Sequence, residues 1–508
     1  MSLAGVPDIR ELLDAAPGKF NDKVFIKYLR DGAVVEKRFS EVRRDSLAYC
    51  RRLRALFPEK VHIAIISKSC YEYIVCLTGC IISGNVAVPV PPDVTVSDAA
   101  AVIDDADVSV VLYEPDFADK IDALREKCPC VASAVCLGDL WETLRDYGDD
   151  STYAPLSELP VDGEACSLII YTSGTTGDRK GVMLSQKALV KNMMFEVKRD
   201  DVRKPGVLLS VLPLYHIYCF VCDYVGPLIL GHTVCLSGGM RELFPNLLRF
   251  KPTSIRVVPM IAQAMLARIR AVRSKHPELS AQEAGALVTG GELKIMFAGG
   301  AYLDPALAEE FEDYGVFLRQ GYGMSELGSK ITVPDIDTAV DSVGRVMDFV
   351  DVRIENGEIQ VRTPCIMLGY YKKPEETAAA FTEDGWMKTG DIGYITEDRQ
   401  LYVTGRVKNL IILSNGENVS PEGIEKKYKA YDLVEEALVY AEKDTIVAEV
   451  YPDAEYVRSA GITDVAAALE EITDEINMNA LPSHTVAKTV LLTEPPEKTA
   501  TGKLIRKK

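Results

Sequence analysis

The sequence predicts an α/β protein of several domains, in which a large region with parallel sheets precedes a small α+β domain. Short aliphatic runs, among them VHIAII, SVVLYE, IRVVP and KIMFAG, alternate with helical stretches in the first part of the chain, as is typical of parallel α/β folds. Between residues 357 and 406 short strands and turns predominate instead. With 508 residues, the chain is longer than one hydrophobic core normally supports.

The end of the chain predicts a small α+β domain. The stretch EEALVYAEKDTIVAEVY, after Asn409, indicates two strands joined by a polar turn. The helix expected next carries Val465, Leu469, Ile472 and Ile476 on one face. These elements amount to about one hundred residues, which is within the usual size range of a domain.

Composition limits the class of protein. The chain is 47% hydrophobic and 26% charged, as expected of a soluble globular protein. Its 57 basic and 75 acidic residues give a net charge of −18, which argues against a partner such as a nucleic acid or an anionic membrane. The N-terminus has no basic start followed by an apolar core, so we expect a cytoplasmic protein without a secretory signal.

The twelve cysteines are expected to be reduced thiols, because no signal for secretion is visible. Cys219 and Cys222 form a C-x-x-C pair, but no second pair of ligands stands at zinc spacing, so we expect both in the core.

A long apolar segment from Val207 to Cys235 contains a single formal charge, Asp223. Pro213 and Pro227 interrupt it, whereas a membrane-spanning helix is ordinarily a uniform apolar run of about 20 residues. We therefore expect no transmembrane segment. The prediction is buried strands and helices around a pocket for a hydrophobic ligand.

The stretch YTSGTTGDRKG, from Tyr171 to Gly181, has the composition of a phosphate-binding loop. Glycines permit close approach of the backbone, while hydroxyls, N–H groups and cations attract an anion. The spacing is not that of a P-loop, because Asp178 and Arg179 separate Gly177 from Lys180. A flexible surface loop is the alternative.

Five further glycine-rich segments follow, and each by itself is compatible with helix caps and turns. They are FAGGAYL (297–303), QGYGMSE (320–326), WMKTGD (386–391), GRVKNLIILSNGENVSPEGIE (405–425) and EKTATGKLIRKK (497–508). In this order, and together with GEIQVRTPCIMLGYYKKPEETAAAFTEDGWMKTGD, they resemble the acyl- and aryl-CoA ligase branch of the adenylate-forming enzyme superfamily. The resemblance extends from Tyr171 to Lys508.

The resemblance implies a fold and a reaction. Residues 1–407 would form a large domain of two doubly wound α/β subdomains plus a β-barrel. Residues 408–508 would form a mobile α+β domain, with the hinge near Lys408. The substrates would be MgATP, a carboxylic acid and coenzyme A. The acid is first joined to AMP with release of pyrophosphate, and the acyl group is then transferred to the thiol.

The resemblance also implies roles for individual residues. The phosphates would be bound by Thr172, Ser173, Gly174, Thr175, Thr176, Gly177 and Lys180. Adenine and ribose would contact Gly299, Gly300, Ala301, Tyr322, Gly323, Asp391 and Arg406. Ser325 would reach the α-phosphate, and Glu326 would hold Mg²⁺. Most members of the family have proline where this chain has Arg179.

Catalysis and acyl transfer add further expectations. Lys503 would be the catalytic lysine, and because it lies near a chain end it can act only if the small domain closes over the site. Gly416 would lie beside the coenzyme A channel. His216 would stand at the mouth of the acyl pocket, unless it is simply a core residue. Ile217 replaces the aspartate that amino-acid-activating relatives carry, which argues against an amino-acid substrate.

The acid itself stays open. The motif LSNGENVSPEGIE most resembles the corresponding motif of long-chain fatty-acid–CoA ligases. A medium- to long-chain fatty acid is therefore the first choice of substrate, and an aryl acid such as a benzoate or cinnamate is the second. An acyl-AMP ligase that loads a carrier protein is disfavoured by the compact spacing of 64 residues between Glu326 and Asp391. A non-catalytic adenylate-binding protein is disfavoured because Lys180, Glu326, Asp391 and Lys503 are all present. No oligomeric state is predicted.

Overall fold

The fold comes from a computed structural model of the chain. It describes residues 3, 6–144, 162–172, 179–194, 206–335, 337–413, 418–442, 445–478, 480–497 and 504–506. The chain divides into two compact units, each described here by itself. The first unit contains residues 1–351 and 362–381, and the second contains residues 352–361 and 382–508.

The first unit contains two seven-stranded sheets whose strands are mostly parallel. One has the order β13-β12-β11-β9-β10-β1-β2, with only the β1/β2 pair antiparallel. Its strands are β1 (Val24–Arg30), β2 (Ala33–Arg38), β9 (Val207–Ser210), β10 (Thr233–Leu236), β11 (Ser254–Val257), β12 (Ile295–Ala298) and β13 (Phe317–Gln320).

The other sheet has the order β18-β8-β7-β4-β3-β5-β6, and its β8 strand is antiparallel to both neighbours. Its strands are β3 (His62–Ile66), β4 (Val86–Val90), β5 (Val108–Tyr113), β6 (Ser133–Cys136), β7 (Cys166–Thr172), β8 (Lys180–Ser185) and β18 (Gly369–Tyr370). All five residues of β4 are buried, so both faces of this strand are covered. Continuous aliphatic runs in the sequence are expected of such strands.

Helices pack on both sheets. The helices of the first unit are α1 (Ile9–Lys19), α2 (Phe39–Leu56), α3 (Tyr71–Ile82), α4 (Val96–Asp105), α5 (Ala118–Lys127), α6 (Leu137–Thr143), α7 (Gln186–Met194), α8 (Ile217–Cys219), α9 (Gly226–Leu230), α10 (Leu243–Phe250), α11 (Pro259–Lys275), α12 (Ala281–Thr289), α13 (Pro305–Asp313) and α14 (Pro374–Ala379). One apolar core joins α10–α13 to β9 and β11–β13, and a second joins α4 and α5 to β3–β5.

The segment from residue 207 to 235 forms β9, α8, a π-helical turn (Phe220–Val225), α9 and β10. The sequence predicted buried strands and helices here, and most of these residues are buried. No helix within the described ranges has the length and the apolar character that crossing a membrane requires. All twelve cysteines are free thiols, and Cys219 and Cys222 are buried in this segment.

The second unit begins with a four-stranded antiparallel sheet in the order β16-β17-β19-β20. A two-stranded and a three-stranded sheet follow it along the chain. The strands are β16 (Asp351–Glu355), β17 (Glu358–Arg362), β19 (Met387–Ile395), β20 (Leu401–Arg406), β21 (Ile411–Ile412), β22 (Asn418–Val419), β23 (Val434–Glu442), β24 (Thr445–Pro452) and β25 (Val486–Leu491). The helices are α15 (Pro421–Tyr428), α16 (Ala454–Ser459) and α17 (Val465–Met478).

The predicted terminal helix is present as α17. Leu469 and Ile476 are buried in the core of this region, and Val465 and Ile472 pack against that core. The α+β character predicted for the end of the chain is therefore confirmed, as are the two doubly wound α/β sheets of the first unit.

The expected β-barrel is corrected by the structure. Within the residues that it describes, no sheet closes on itself, because β16 and β20 remain the two edges of their sheet. The remaining candidate strands of the first unit, β14 (Thr332–Val333) and β15 (Arg345–Val346), form a ladder of two residue pairs, which is too short to close a barrel.

Candidate active site

The phosphate-binding stretch joins two antiparallel strands of the first unit. Thr172, the last residue of β7, is the register partner of Lys180, the first residue of β8. We call β7, β8 and residues 173–179 between them the phosphate hairpin. Ser173, Gly174, Thr175, Thr176 and Gly177 lie outside the described residues. The hairpin therefore brings a predicted hydroxyl ligand and a predicted cationic ligand together at its end.

Arg179 is tied to a neighbouring helix. Its guanidinium donates to the carboxylate of Asp98 and, at 2.9 Å, to the carbonyl oxygen of the same residue. Asp98 lies in the first turn of α4. The hydrogen bond from Arg179 holds the pKa of Asp98 below its usual value. The arginine that replaces the family's proline thus connects the phosphate hairpin to α4.

Glu326 is buried beside Tyr370, a residue for which the sequence analysis predicted no role. It lies in the 3₁₀ turn Ser325–Leu327 and is only 8% exposed. The phenolic Oη of Tyr370 donates to Glu326 Oε1 at 2.9 Å. Burial, followed by the nearby Glu326 charge, raises the pKa of Tyr370, so its proton stays on the phenol. The structure thereby fixes one oxygen of the carboxylate that the sequence assigned to Mg²⁺.

The same tyrosine contacts the predicted phosphate-binding lysine. Lys180 Nζ lies 4.7 Å from the centroid of the Tyr370 ring, a cation–π geometry. Tyr370 pairs with Val182 in the β18/β8 ladder, which sets it beside the start of β8. Lys180, Tyr370 and Glu326 therefore form one cluster in the first unit.

The cluster fits a magnesium ion that is held partly by the protein and partly by the phosphates of the substrate. Mg²⁺ is usually held by one or two carboxylates together with substrate phosphates and water. Glu326 supplies one carboxylate, and Lys180 lies over the ring of the tyrosine that donates to it. In the described ranges no cluster of three or more His, Cys, Asp or Glu residues forms an all-protein cage for a metal.

The predicted adenine-binding residues follow the carboxyl end of β12. Gly299, Gly300 and Ala301 come directly after this strand, and Tyr322 and Gly323 come shortly after its parallel neighbour β13. Ligands of open α/β sheets bind outside the carboxyl ends of the strands. Gln320 Nε2 donates to the Ala301 carbonyl at 2.9 Å, which ties the two loops together.

A compact loop after β13, from Tyr322 to Ile331, carries Ser325 and Glu326. The amide of Ile331 donates to the Tyr322 carbonyl at 2.9 Å and closes the loop. A Cβ at Gly323 would lie 1.9 Å from the Ser329 carbonyl oxygen, so the close approach requires glycine here. This close approach accounts for the second glycine of QGYGMSE, and the contact of Gly323 with the nucleotide stays a prediction.

His216 and Ile217 stand at the start of α8. His216 is exposed, yet partial desolvation by the surrounding protein lowers the pKa of its imidazole. Ile217 is buried. Tyr218, the next residue, lies against Gly299, where an added Cβ would be 3.3 Å from the ring. The apolar segment therefore reaches the predicted adenine-binding residues through Tyr218.

A buried ion pair lies in the same segment. Asp223 is fully buried, and its Oδ1 lies 3.2 Å from Arg256 Nη1 on β11. Asp223 Oδ2 is buried and has no hydrogen bond of normal geometry among the described residues. Burial raises the pKa of Asp223 to about 6, although Arg256 and a hydrogen bond from Ser210 oppose the shift. The segment is thus less uniformly apolar than its composition indicates.

In the second unit, the two predicted ribose-binding residues bind each other. Asp391 and Arg406 are register partners on β19 and β20, and Arg406 Nε donates to Asp391 Oδ1 at 2.6 Å. Asp391 is 5% exposed. Lys408 lies in the 3₁₀ turn Val407–Asn409, directly after β20. Gly416 lies outside the described residues.

Lys503 also lies outside the described residues, but both ends of its segment are described. The amide of Ile505 donates to the Glu497 carbonyl at 2.9 Å. Arg506 donates to the Glu425 carboxylate at 2.7 Å and to the Val439 carbonyl at 2.9 Å. The chain end is thus attached to α15 and β23 three residues after Lys503. The role predicted for Lys503 stays a prediction.

Comparison with known proteins identifies the family of this chain. The AMP-binding enzyme family matches residues 13–371, and the C-terminal domain of AMP-binding enzymes matches residues 408–508. The long-chain-fatty-acid–CoA ligase FadD15 of Mycobacterium bovis is 28% identical over 429 residues, which cover 74% of this chain and 70% of that protein. The feruloyl-CoA synthase of an Amycolatopsis species is 29% identical over 392 residues, 74% of each chain.

A solved structure shows the same fold. The anthranilate–CoA ligase AuaEII in complex with anthranoyl-AMP superimposes with a TM-score of 0.81 at 19% identity and covers 98% of this chain and 95% of its own. The chain therefore belongs to the AMP-binding enzyme family of the adenylate-forming superfamily and is an AMP-forming acid–CoA ligase.

Proposed function

We propose that the protein activates a medium- to long-chain fatty acid to its acyl-adenylate, releases pyrophosphate and transfers the acyl group to coenzyme A. The observation that carries the reaction is the cluster of Lys180, Tyr370 and Glu326 beside the phosphate hairpin. It combines a cation for phosphate with a fixed, buried carboxylate for a divalent cation. A cytoplasmic location stays a prediction from the sequence.

Charge neutralisation is the main task of the first step. The acid carboxylate attacks the α-phosphorus of ATP, and two anions must approach each other, so the rate depends on positioning and on electrostatic stabilisation. Thr172 and Lys180 would bind the β- and γ-phosphates. Bound Mg²⁺ would supply positive charge to the phosphate oxygens. Glu326 would hold that ion, with Tyr370 fixing its carboxylate.

The remaining roles follow from the matching positions. Ser325 would reach the α-phosphate, and Tyr322 would stack on the purine face. Asp391 and Arg406 would bind the ribose, and their mutual hydrogen bond would hold both side chains ready for a diol. Lys503 would donate to the carboxylate and the α-phosphate as charge develops. In the second step Gly416 would lie beside the pantetheine of coenzyme A.

The apolar segment around α8 and α9 supports a fatty acid. Each methylene buried there contributes about 0.8 kcal/mol, so a longer chain gains binding energy. Ile217 offers no partner for a substrate ammonium group, which supports a simple carboxylic acid over an amino acid.

A second candidate is an aryl acid that carries a hydroxyl or amino group. The observation that favours it is the polar and aromatic group formed by Tyr218 and Asp223 of this segment with Arg256 of β11. Asp223 Oδ2 has no hydrogen bond of normal geometry among the described residues, although the Ser210 hydroxyl interacts with this carboxylate, and a substituent on the acid could complete its hydrogen bonding. The feruloyl-CoA synthase similarity is compatible with this class.

Pyrophosphate release distinguishes the candidates. The panel would contain saturated acids of increasing length, cinnamate, hydroxycinnamate and amino acids, each with and without coenzyme A. We expect kcat/KM to rise with chain length and acyl-CoA to accumulate only with coenzyme A. Preference for hydroxycinnamate over both cinnamate and fatty acids would favour the second candidate. Turnover only of amino acids would contradict both, and acyl-AMP that coenzyme A does not consume would indicate a carrier-protein acceptor.

A further inference from the structure

A short segment of the first unit bridges the phosphate hairpin and the turn that carries Glu326. The amides of Leu368 and Tyr371 donate to the β8 carbonyls of Met183 and Gly181 at 2.9 and 2.8 Å. The amide of Met367 donates to the Glu326 carbonyl at 2.8 Å. Residues 367–371 are therefore hydrogen-bonded to both predicted phosphate and metal sites through the backbone.

The Tyr370 side chain makes the same connection a second time. Its ring faces Lys180 and its hydroxyl binds Glu326, so the two ends of one side chain contact the two predicted ligands. Tyr370 is 8% exposed. Its amide donates to Thr377 Oγ1 at 2.8 Å, which anchors β18 to α14. The ring is thus held from several sides and has little freedom to turn away.

The hydroxyl has a use beyond packing. A phenylalanine would fill the same volume and offer the same face to Lys180, but it could not bind the carboxylate. A buried hydroxyl without a partner is costly, and a hydrogen bond to a charged group is stronger than a neutral one.

We infer that Tyr370 is a positioning residue, which orients the Glu326 carboxylate toward a divalent cation and supports Lys180 beside the nucleotide phosphates. The inference rests on the roles given to Lys180 and Glu326 under the proposed function. Residues that hydrogen-bond a metal ligand typically change metal affinity or activity by 10- to 100-fold when they are replaced. Tyr370 itself does not touch the reacting atoms.

Binding of ATP, measured by calorimetry without any acid, tests this inference. The parent, Tyr370→Phe and Tyr370→Leu would be titrated with ATP at several magnesium concentrations and in EDTA. We expect Tyr370→Phe to need about ten-fold or more magnesium for the same ATP affinity, and to match the parent in EDTA. Tyr370→Leu should also bind ATP more weakly in EDTA, because Lys180 loses the ring.

Two comparisons separate positioning from a general structural effect. Tyr371→Phe is the matched control, because the neighbouring hydroxyl donates to the surface residue Asp107 at 2.8 Å, and it should match the parent. In a Glu326→Gln background, Tyr370→Phe should add less than a two-fold change, because the carboxylate that it positions is already gone.

The outcomes are distinct. The inference would be overturned if Tyr370→Phe needed a magnesium concentration within two-fold of the parent's for the same ATP affinity. It would also be overturned if Tyr370→Phe weakened MgATP binding as much in the Glu326→Gln background as in the parent. Failure of the parent to bind MgATP would overturn the inference and the proposed function together. MgATP binding by the parent without pyrophosphate release from any acid would overturn the proposed function alone.

Discussion

Asp223 is the residue whose surroundings differ most from what the apolar sequence around it indicates. The sequence places one carboxylate in an apolar segment, and the structure shows it fully buried with Arg256 as its partner. Removing one partner of a buried pair leaves an uncompensated charge, whereas the intact pair still carries a desolvation cost. The protonation state of Asp223 should therefore affect stability.

The pH dependence of unfolding tests the Asp223 environment. Its folded pKa of about 6 lies above the ordinary value of 3.8, so the folded state binds the proton more tightly. The associated stabilisation is fully present below pH 3.8 and is lost as the pH rises through 6. Relative to Asp223→Asn, the parent should lose up to about 3 kcal/mol of unfolding free energy between these limits.

Denaturant unfolding of both proteins at a series of pH values between about 3.5 and 7 gives this difference. Asp98→Asn is a control of opposite sign, since Arg179 lowers the pKa of Asp98 and its contribution is lost as the pH falls. If the unfolding free energy of the parent instead increased relative to that of Asp223→Asn as the pH rises, Arg256 would be keeping Asp223 ionised over the whole range.

The sequence indicates Lys180 and Glu326 as ligands of phosphate and metal, but it does not indicate Tyr370, the residue that contacts both. Tyr370 follows Glu326 by 44 positions and Lys180 by 190, so no local spacing reveals the contact. It does lie inside the quoted motif GYYKKPEET, and the choice between its two adjacent tyrosines depends on which one faces the cluster. Only the β18/β8 register decides this.

Among the elements, the phosphate hairpin shows how this chain departs from its family. Proline would stiffen the backbone at position 179 by fixing φ. Arg179 instead binds a helix through Asp98, at side-chain exposures of 36% and 42%. Exposed ion pairs are usually worth about 0–1 kcal/mol, so the restraint should be weak.

We expect Arg179→Ala and Asp98→Ala each to raise the KM for MgATP by about two- to five-fold, because each change removes only a weak, solvent-exposed restraint on the hairpin. The double variant should show no further loss, since both changes remove one interaction. Arg179→Pro should recover part of the affinity by restraining the backbone instead. Initial-rate measurements of pyrophosphate release give these values. Additive losses, or a proline variant worse than the alanine variant, would contradict a shared restraint.

The chain end is a second element with a definite anchor. Arg506 binds Glu425 and the Val439 carbonyl, and the amide of Ile505 binds the Glu497 carbonyl, so the described residues 505 and 506 are held in place. From sequence alone a terminal basic run is expected to fray. The difference arises because Glu425 is a buried carboxylate that needs a partner, which sequence spacing does not disclose.

Lys503→Ala should lower the single-turnover rate of acyl-AMP formation by about 10²–10³, the typical cost of removing one preorganised donor to developing charge. MgATP binding should stay close to that of the parent, because the lysine acts on charge that appears in the transition state. Lys488→Ala, which removes an exposed lysine of the same unit, is the matched control. A Lys503→Ala rate within a few-fold of the parent would remove this residue from catalysis.

For the whole molecule, hydrophobic patterns and ordered motifs were sufficient for the fold class, the terminal α+β region and the enzyme family. The β-barrel that the family resemblance implied is absent from the described residues, because barrel closure depends on pairing between strands distant in sequence, which such patterns do not specify. They also do not address the division of the chain, in which residues 352–361 group with residues 382–508. The boundary between residues 407 and 408 stays a prediction, as does the hinge.

Replacement of Lys408 by proline tests the hinge. Lys408 lies in the 3₁₀ turn Val407–Asn409, where φ values near that of proline are usual, but proline disfavours a helical conformation at Val407 before it. If acyl-AMP formation and thioester formation need two backbone conformations here, fixing one should separate the two steps. We expect acyl-AMP formation to retain the larger fraction of its rate.

The two steps can be measured independently on the folded Lys408→Pro variant. Pyrophosphate release in a single turnover reports the first step, and acyl-CoA formation from supplied acyl-adenylate reports the second. A local effect on folding would lower both rates together, whereas a hinge effect changes their ratio. Equal losses in both steps, or no loss in either, would show that Lys408 is an ordinary residue of a turn, and the moving segment would then have to be sought at the unit boundaries near residues 351, 361 and 381.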